Sequence, residues 1–233
     1  MYLGCVMNTA KKDRFYSDLL EACERPGCPL CRISRAFMHS YMDATLYERV
    51  NDYGVRAALR EARGYCNTHA WMLADRHGVV LGAAIMQRDV LNTLLRELDD
   101  VPIRKGARQT AQDVAQRLRP TTECPACIHR REMDDLAITT LLKYLGDARL
   151  SAALERTSGL CIPHFTRALD LVEDQRQLDN LVRFQREALH RLSDELSELI
   201  RKHDYRFMSE GFGDEGDSWL RATGIVSGEH GAV

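Results

Sequence analysis

A doubled set of cysteine and histidine pairs constrains this chain more than any other feature. Cys28-Pro29-Leu30-Cys31 precedes Gly64-Tyr65-Cys66-Asn67-Thr68-His69, and Cys124-Pro125-Ala126-Cys127 precedes Gly159-Leu160-Cys161-Ile162-Pro163-His164. The first pairs lie 96 positions apart and the second pairs 95, so six of the eight cysteines fall in one register. Ala57-Ala58-Leu59 and Ala152-Ala153-Leu154 repeat at the same offset of 95. Self-similarity at a fixed spacing is the mark of an internal duplication, and it predicts two related halves.

The spacing also dictates chemistry. Two cysteines separated by two residues, on a turn that opens a helix, direct both sulfurs to one point and form half of a tetrahedral site. Cys-x-x-His on a helix supplies the other half, because residues three apart share a face. Together they make Cys3His, a closed zinc shell. The nearest assignment along the chain places Cys28, Cys31, Cys66 and His69 in one site and Cys124, Cys127, Cys161 and His164 in the other. A rival pairing joins the Cys-Pro-x-Cys of each half to the Cys-x-x-His of the other, with identical ligand chemistry. In either case the metal closes a loop far longer than that of a zinc finger and acts as a cross-link between distant helices.

Other uses of the cysteines fit less well. A dithiol redox pair belongs in a strand-and-helix setting, which the sequence lacks. Haem attachment needs Cys-x-x-Cys-His, and Arg32 and Ile128 stand where that histidine belongs. A [4Fe-4S] cluster remains the alternative to zinc, since three thiolates and a histidine can hold one. Cys5 and Cys23, outside the pattern, read as small buried hydrophobes. His39 and His129 read as helix-surface residues, and the adjacent pairs Asp99-Asp100 and Asp134-Asp135 as surface acids.

Abundant Ala, Leu, Arg and Glu with few Gly and Pro predict an all-α protein of two pseudo-repeats, each with a Cys3His site joining distant helices. The first repeat spans 1–102, a connector 103–122, the second repeat 123–204, and a tail 205–233. Gly64 and Gly159 stand where a helix stops, suited to the left-handed backbone that closes a helix end. Two long helices follow. Val80, Ala84, Val90, Leu91, Leu94, Leu95 and Leu98 predict the core-facing side of one; Leu178, Leu181, Phe184, Leu189, Leu192, Leu196 and Leu199 predict that of the other. The connector is basic at Arg104, Lys105, Arg108, Arg117 and Arg119 and reads as a solvated linker, helical over Gln109 to Leu118. Trp219, Leu220, Ile225 and Val226 predict a tail that packs back onto the body.

A formal net charge of −2 offers no basic field for nucleic acid or an anionic membrane. The longest apolar run, Val79 to Met86, is far short of the roughly 20 residues of a membrane span. Leu3-Gly4-Cys5 lacks the apolar segment that precedes a lipoprotein cleavage site, so a cytoplasmic protein is expected. No phosphate-binding loop, nucleophile elbow or dinucleotide fingerprint is present, and no catalytic residue stands out.

The doubled Cys-Pro-x-Cys and Gly-[Phe/Tyr/Leu]-Cys-x-x-His arrangement resembles a family of bacterial and archaeal proteins of unknown function. The likeness runs from about Phe15 to Gly228, through Asn51-Asp52-Tyr53-Gly54-Val55-Arg56, Leu81-Gly82-Ala83-Ala84-Ile85-Met86 and Asp217-Ser218-Trp219-Leu220-Arg221-Ala222. It departs at Ala70, where the resemblance implies the phenylalanine that Phe165 provides in the second half. The resemblance implies a helical metal-binding protein with a structured tail. The closed shell favours a non-catalytic accessory or protein-binding module over an enzyme, the alternatives being an iron-sulfur electron-transfer or redox-sensing protein and a metalloenzyme that frees one histidine.

Overall fold

Proline costs nothing at the first position of a helix, where the amide it lacks would have no partner. Pro29 and Pro125 open two of the longest helices in the chain. The computed structural model describes residues 15–101 and 106–229, and their regular structure is helical throughout, with no strand. Helix α1 covers 15–22, followed by α2 Pro29–Tyr47, α3 Tyr53–Glu61, α4 Asn67–Ala74, α5 Val80–Asp99 and α6 Ala107–Leu118. The second half brings α7 Pro125–Tyr144, α8 Ala148–Leu154, α9 Ile162–Asp170, α10 Gln175–Lys202 and, after two short 3-10 turns, α11 Ser218–Ser227. Aspartates cap three of the starts: Asp52 accepts from Val55 N at 2.8 Å, Asp147 from Leu150 N at 3.0 Å, and Asp174 from Gln177 N at 2.8 Å. Cys5, Arg104 and Lys105 lie outside the described residues.

The chain divides into two compact units that cut across the repeat. One takes the residues up to Ala36 together with those from Glu132 onward, and the other spans Phe37–Arg131. The divisions fall inside α2 and α7, so each of these helices begins in one unit and ends in the other.

In the Phe37–Arg131 unit, Met38, Met42 and Leu46 of α2 pack with Leu73, Val79, Cys124 and Ala126. A second cluster joins Leu59 of α3 to Met86 and Val90 of α5, and Tyr65 packs against both clusters. The core-facing side expected for α5 holds at Val90 and Leu94 and is corrected at its other positions. Its packed side is Met86, Val90 and the half-buried Leu94, covered by α3, whereas Val80 (81%), Leu91 (57%), Leu95 (54%) and Leu98 (44%) stand exposed. The connector is largely α6, which lies against α5.

In the other unit the buried side chains include Leu19, Leu30, Ile138, Leu141, Leu150, Leu154, Leu160, Leu181 and Ile225. Helix α10 buries Leu181, Gln185, Ala188, Leu192 and Leu199 at helical spacing. Leu189 of the expected face is exposed, and Gln185 takes a place in the packed stripe. Helix α11 lies against α9 and α10 through buried Ile225 and Ser218, while Trp219, Leu220 and Val226 face outward.

Candidate metal centres

Each Cys-Pro-x-Cys straddles a helix start, with Cys28 and Cys124 just before the opening prolines and Cys31 and Cys127 one turn in. Cys66 and Cys161 are the N-caps of α4 and α9, and their carbonyls accept the first helical hydrogen bonds, from Ala70 and Phe165. His69 and His164 follow at the third helical position. The glycine two residues before each N-cap has positive φ, +102° at Gly64 and +93° at Gly159, which turns the chain out of α3 or past α8 into the next helix. All eight ligand candidates therefore sit at helix N-termini, where the backbone dipole favours thiolate.

These ends meet in two groups. Cys28, Cys31, Cys161 and His164 form centre A, and Cys66, His69, Cys124 and Cys127 form centre B, with the ligand atoms of each group within 4.8 Å of one another. The within-half assignment is thereby corrected: each Cys-Pro-x-Cys meets the Cys-x-x-His of the other half, as in the rival pairing. Helix packing is the reason. Cys28 and Cys31 flank the start of α2, but it is the later turns, at Met38, Met42 and Leu46, that pack with Cys66 and Leu73.

In centre A, Nδ1 of His164 stands 3.1 Å from the Cys161 sulfur, 3.4 Å from that of Cys31 and 3.8 Å from that of Cys28; the Cys31 and Cys161 sulfurs are 3.5 Å apart. In centre B, Nδ1 of His69 is 3.2 Å from Cys66, 3.3 Å from Cys127 and 3.7 Å from Cys124, and the Cys66 and Cys127 sulfurs are 3.6 Å apart. A tetrahedron with metal-sulfur bonds near 2.3 Å and metal-nitrogen bonds near 2.0–2.1 Å has edges of about 3.5–3.8 Å. The separations of 3.1–3.8 Å lie close to these edges, and with all four atoms of each group within 4.8 Å of one another each set could close on one ion.

The surroundings differ. All four ligands of centre A are buried, whereas Cys66 and Cys127 of centre B are half-buried. Asp134 Oδ2 lies 3.7 Å from Nε2 of His164, on the side of the ring away from the sulfurs, where a carboxylate orients a ligating imidazole. The backbone N–H of Glu229 donates to the Cys31 sulfur at 3.5 Å, and its carboxylate accepts from Cys28 N at 3.1 Å and from Arg35 at 3.1 Å. Near His69 the charge is of opposite sign, the guanidinium of Arg130.

Protonation reflects this crowding. Burial and then Arg130 push the His69 pKa down, toward the neutral ring that ligates metals. Burial also disfavours the charged ring of His164, but Asp134 and the sulfurs of Cys161, Cys28 and Cys31 prevail and raise its pKa. Burial, with the neighbouring Cys66 and Cys124, pushes the Cys127 thiol up to about 12. Thiols crowded in this way hold their protons until a dication takes the proton's place.

The remaining candidates are not ligands. Cys23 is fully buried, and burial pushes its thiol up to about 11. His39 is exposed beside Arg76, and His129 stacks on Tyr41 with ring centroids 4.6 Å apart. The reading of Asp134 and Asp135 as surface acids is corrected: Asp134 faces His164, and Asp135 takes Arg167 through two contacts of 2.7 Å. Sequence reading also missed Gln185. Its buried amide accepts from Leu160 N and donates to Leu160 O, each at 2.9 Å, which clamps the turn that presents Cys161. Its signal was a polar residue in register with Leu181, Ala188 and Leu192 on the buried face of α10.

The chain is 23% identical over 213 residues to an uncharacterized 23.9 kDa protein in the xynA 3' region of Caldicellulosiruptor sp. (strain Rt8B.4), covering 90% of this chain and 99% of that one. No solved structure matches it. Residues 17–232 match the family of unknown function DUF6062, a span that includes both centres and the tail. The chain belongs to the DUF6062 family.

Proposed function

We propose that this protein is a helical scaffold held by two structural zinc ions, one in each Cys3His centre, and that it serves as a non-catalytic accessory that binds a protein partner in the cytoplasm. The observation that carries the reading is the size of the two ligand groups, whose atoms all lie within 4.8 Å of one another, the nearer ones 3.1–3.8 Å apart. That is the spacing around a single ion. A cubane cluster spreads its protein ligands over separate irons and so sets them farther apart. Four protein ligands close the shell, leaving no position for the water or substrate of a catalytic zinc. The metal supplies a cross-link: Cys31 and Cys161 are 130 residues apart, and Cys66 and Cys127 are 61. None of the described cysteines is in a disulfide, which accords with a reducing compartment. No described helix is long and apolar enough to cross a membrane. The exposed Leu91, Leu95 and Leu98 of α5 support protein binding.

The test is elemental analysis with an absorption spectrum on anaerobically purified protein. About two zinc per chain and no visible band are expected, and Cys66→Ala or Cys161→Ala should each remove one equivalent and lower stability by several kcal/mol, a fraction of the roughly 10–16 kcal/mol with which structural sites bind zinc. About eight iron per chain with a broad band near 400 nm would overturn the zinc reading in favour of two clusters.

A further inference from the structure

The two centres share ligands and spacing but differ in access. In centre A the Cys31 and Cys161 sulfurs are 3.5 Å apart and in centre B the Cys66 and Cys127 sulfurs are 3.6 Å apart, so proximity does not separate them. Burial does. Cys31 and Cys161 are fully buried, and the Cys31 sulfur receives the Glu229 N–H, which draws electron density from it. Cys66 and Cys127 are half-buried. Centre A also has the carboxylate of Asp134 behind its histidine.

We propose that Cys66 and Cys127 are an oxidation-sensitive pair, which hydrogen peroxide joins in a disulfide with release of the metal of centre B, while centre A keeps its own. One thiolate attacks a peroxide oxygen; the O–O bond breaks, the sulfur becomes a sulfenic acid, and the departing hydroxide takes a proton to become water. The other thiolate attacks that sulfur, the S–S bond forms, the S–O bond breaks, and a second hydroxide leaves as water. Two thiolates, one peroxide and two protons thus yield one disulfide and two waters, with sulfur oxidised and peroxide oxygen reduced. The sulfurs close from 3.6 Å to the roughly 2.05 Å of a disulfide. Two of the four ligands are then lost to the metal, while the new bond still ties the start of α4 to the start of α7. The centre thereby passes from a metal cross-link to a covalent one.

This inference rests on the zinc reading, so zinc content is measured before any oxidant is added. The full-length zinc-loaded protein is then treated with hydrogen peroxide in the presence of a chromophoric zinc indicator, quenched by alkylation and mapped by peptide mass spectrometry. One zinc equivalent is expected to leave at least tenfold faster than the other, together with a disulfide-linked peptide pair containing Cys66 and Cys127. Release of both equivalents in one phase, a disulfide that maps to Cys31 and Cys161, or release without any Cys66–Cys127 disulfide would overturn the proposal with the zinc reading intact. Fewer than two zinc at the outset would bring down that reading, and this inference with it.

Discussion

Gly64 and Gly159 hold equivalent places in the two halves, yet a side chain at each would meet different surroundings. A Cβ at Gly159 falls 2.8 Å from the Cβ of Ala188 on α10, while at Gly64 the nearest atom, on Val90, is 3.9 Å away. Alanine at either position carries the left-handed backbone cost of about 1–2 kcal/mol. Only at 159 does it also overlap a neighbouring helix, for about 1–3 kcal/mol more. Gly159→Ala should therefore lower the unfolding free energy of the metal-loaded protein clearly more than Gly64→Ala in a denaturant titration; equal losses would show that α10 yields freely. At this scale the sequence was most legible in the eight residues that gather into the two groups, because their spacing carries their chemistry. It was least legible in the residues that support them. Asp134 is one of two adjacent acids on a helix, and nothing in the sequence shows which of them faces His164. Gln185 replaces, in register, the Val90 of the first half, so its amide clamp on Leu160 follows no repeat.

Helices carry the fold, and their starts were easier to read than their faces. Proline marks where α2 and α7 begin and aspartate where α3, α8 and α10 begin, since each satisfies or removes an unpaired amide. The face of α5 was misread because apolar residues at helical spacing look alike whether they meet a core or solvent; only the packing of α3 selects Met86 and Val90. The tail shows the same ambiguity, with Ile225 turned inward and Trp219 turned outward from the same short helix. What holds the approach to α11 is polar. Lys202 at the end of α10 donates to the Glu215 carboxylate at 2.8 Å, and Gly213 N does so at 2.9 Å. Lys202 above all, with Gly213 N, lowers the Glu215 pKa to about 2 from the ordinary 4.5. A carboxylate depressed in the folded state contributes stability that is complete above its unfolded pKa and is lost as the pH falls from there toward about 2. Hydrogen exchange across residues 204–227 should accordingly quicken, relative to the rest of the chain, as the pH drops from 5 toward 2. Glu215→Gln should show fast exchange at pH 5 already and lose that pH response; a tail that exchanges alike in both proteins would refute the role of this contact.

The whole molecule is an exchange between its two halves, each lending one pair of ligands to the centre completed by the other. The duplication was legible from the matched spacing, and the all-helical class from composition. The pairing was not, because both assignments offer three sulfurs and a nitrogen, and only the route of α2 past α4 decides between them. The exchange makes a prediction that the within-half assignment does not share. Residues 1–102 and 123–233, produced separately, should each fail as monomers to retain zinc against a chelator, whereas the two produced together should co-purify with about two zinc per pair. A monomeric half that holds one tight zinc would refute the exchange. The order of synthesis gives the same feature another meaning. Once His69 has been made, the nascent chain already carries Cys28, Cys31, Cys66 and His69, a full complement for the wrong shell, while Cys127 is still 58 residues away. At roughly 5–20 residues per second that interval lasts about 3–12 s. On the zinc reading, a metal ion that reaches the growing chain in those seconds meets only a loose version of that shell, unsupported by the helices of the second half, and correct assembly needs it to let go when Cys124 and Cys127 arrive.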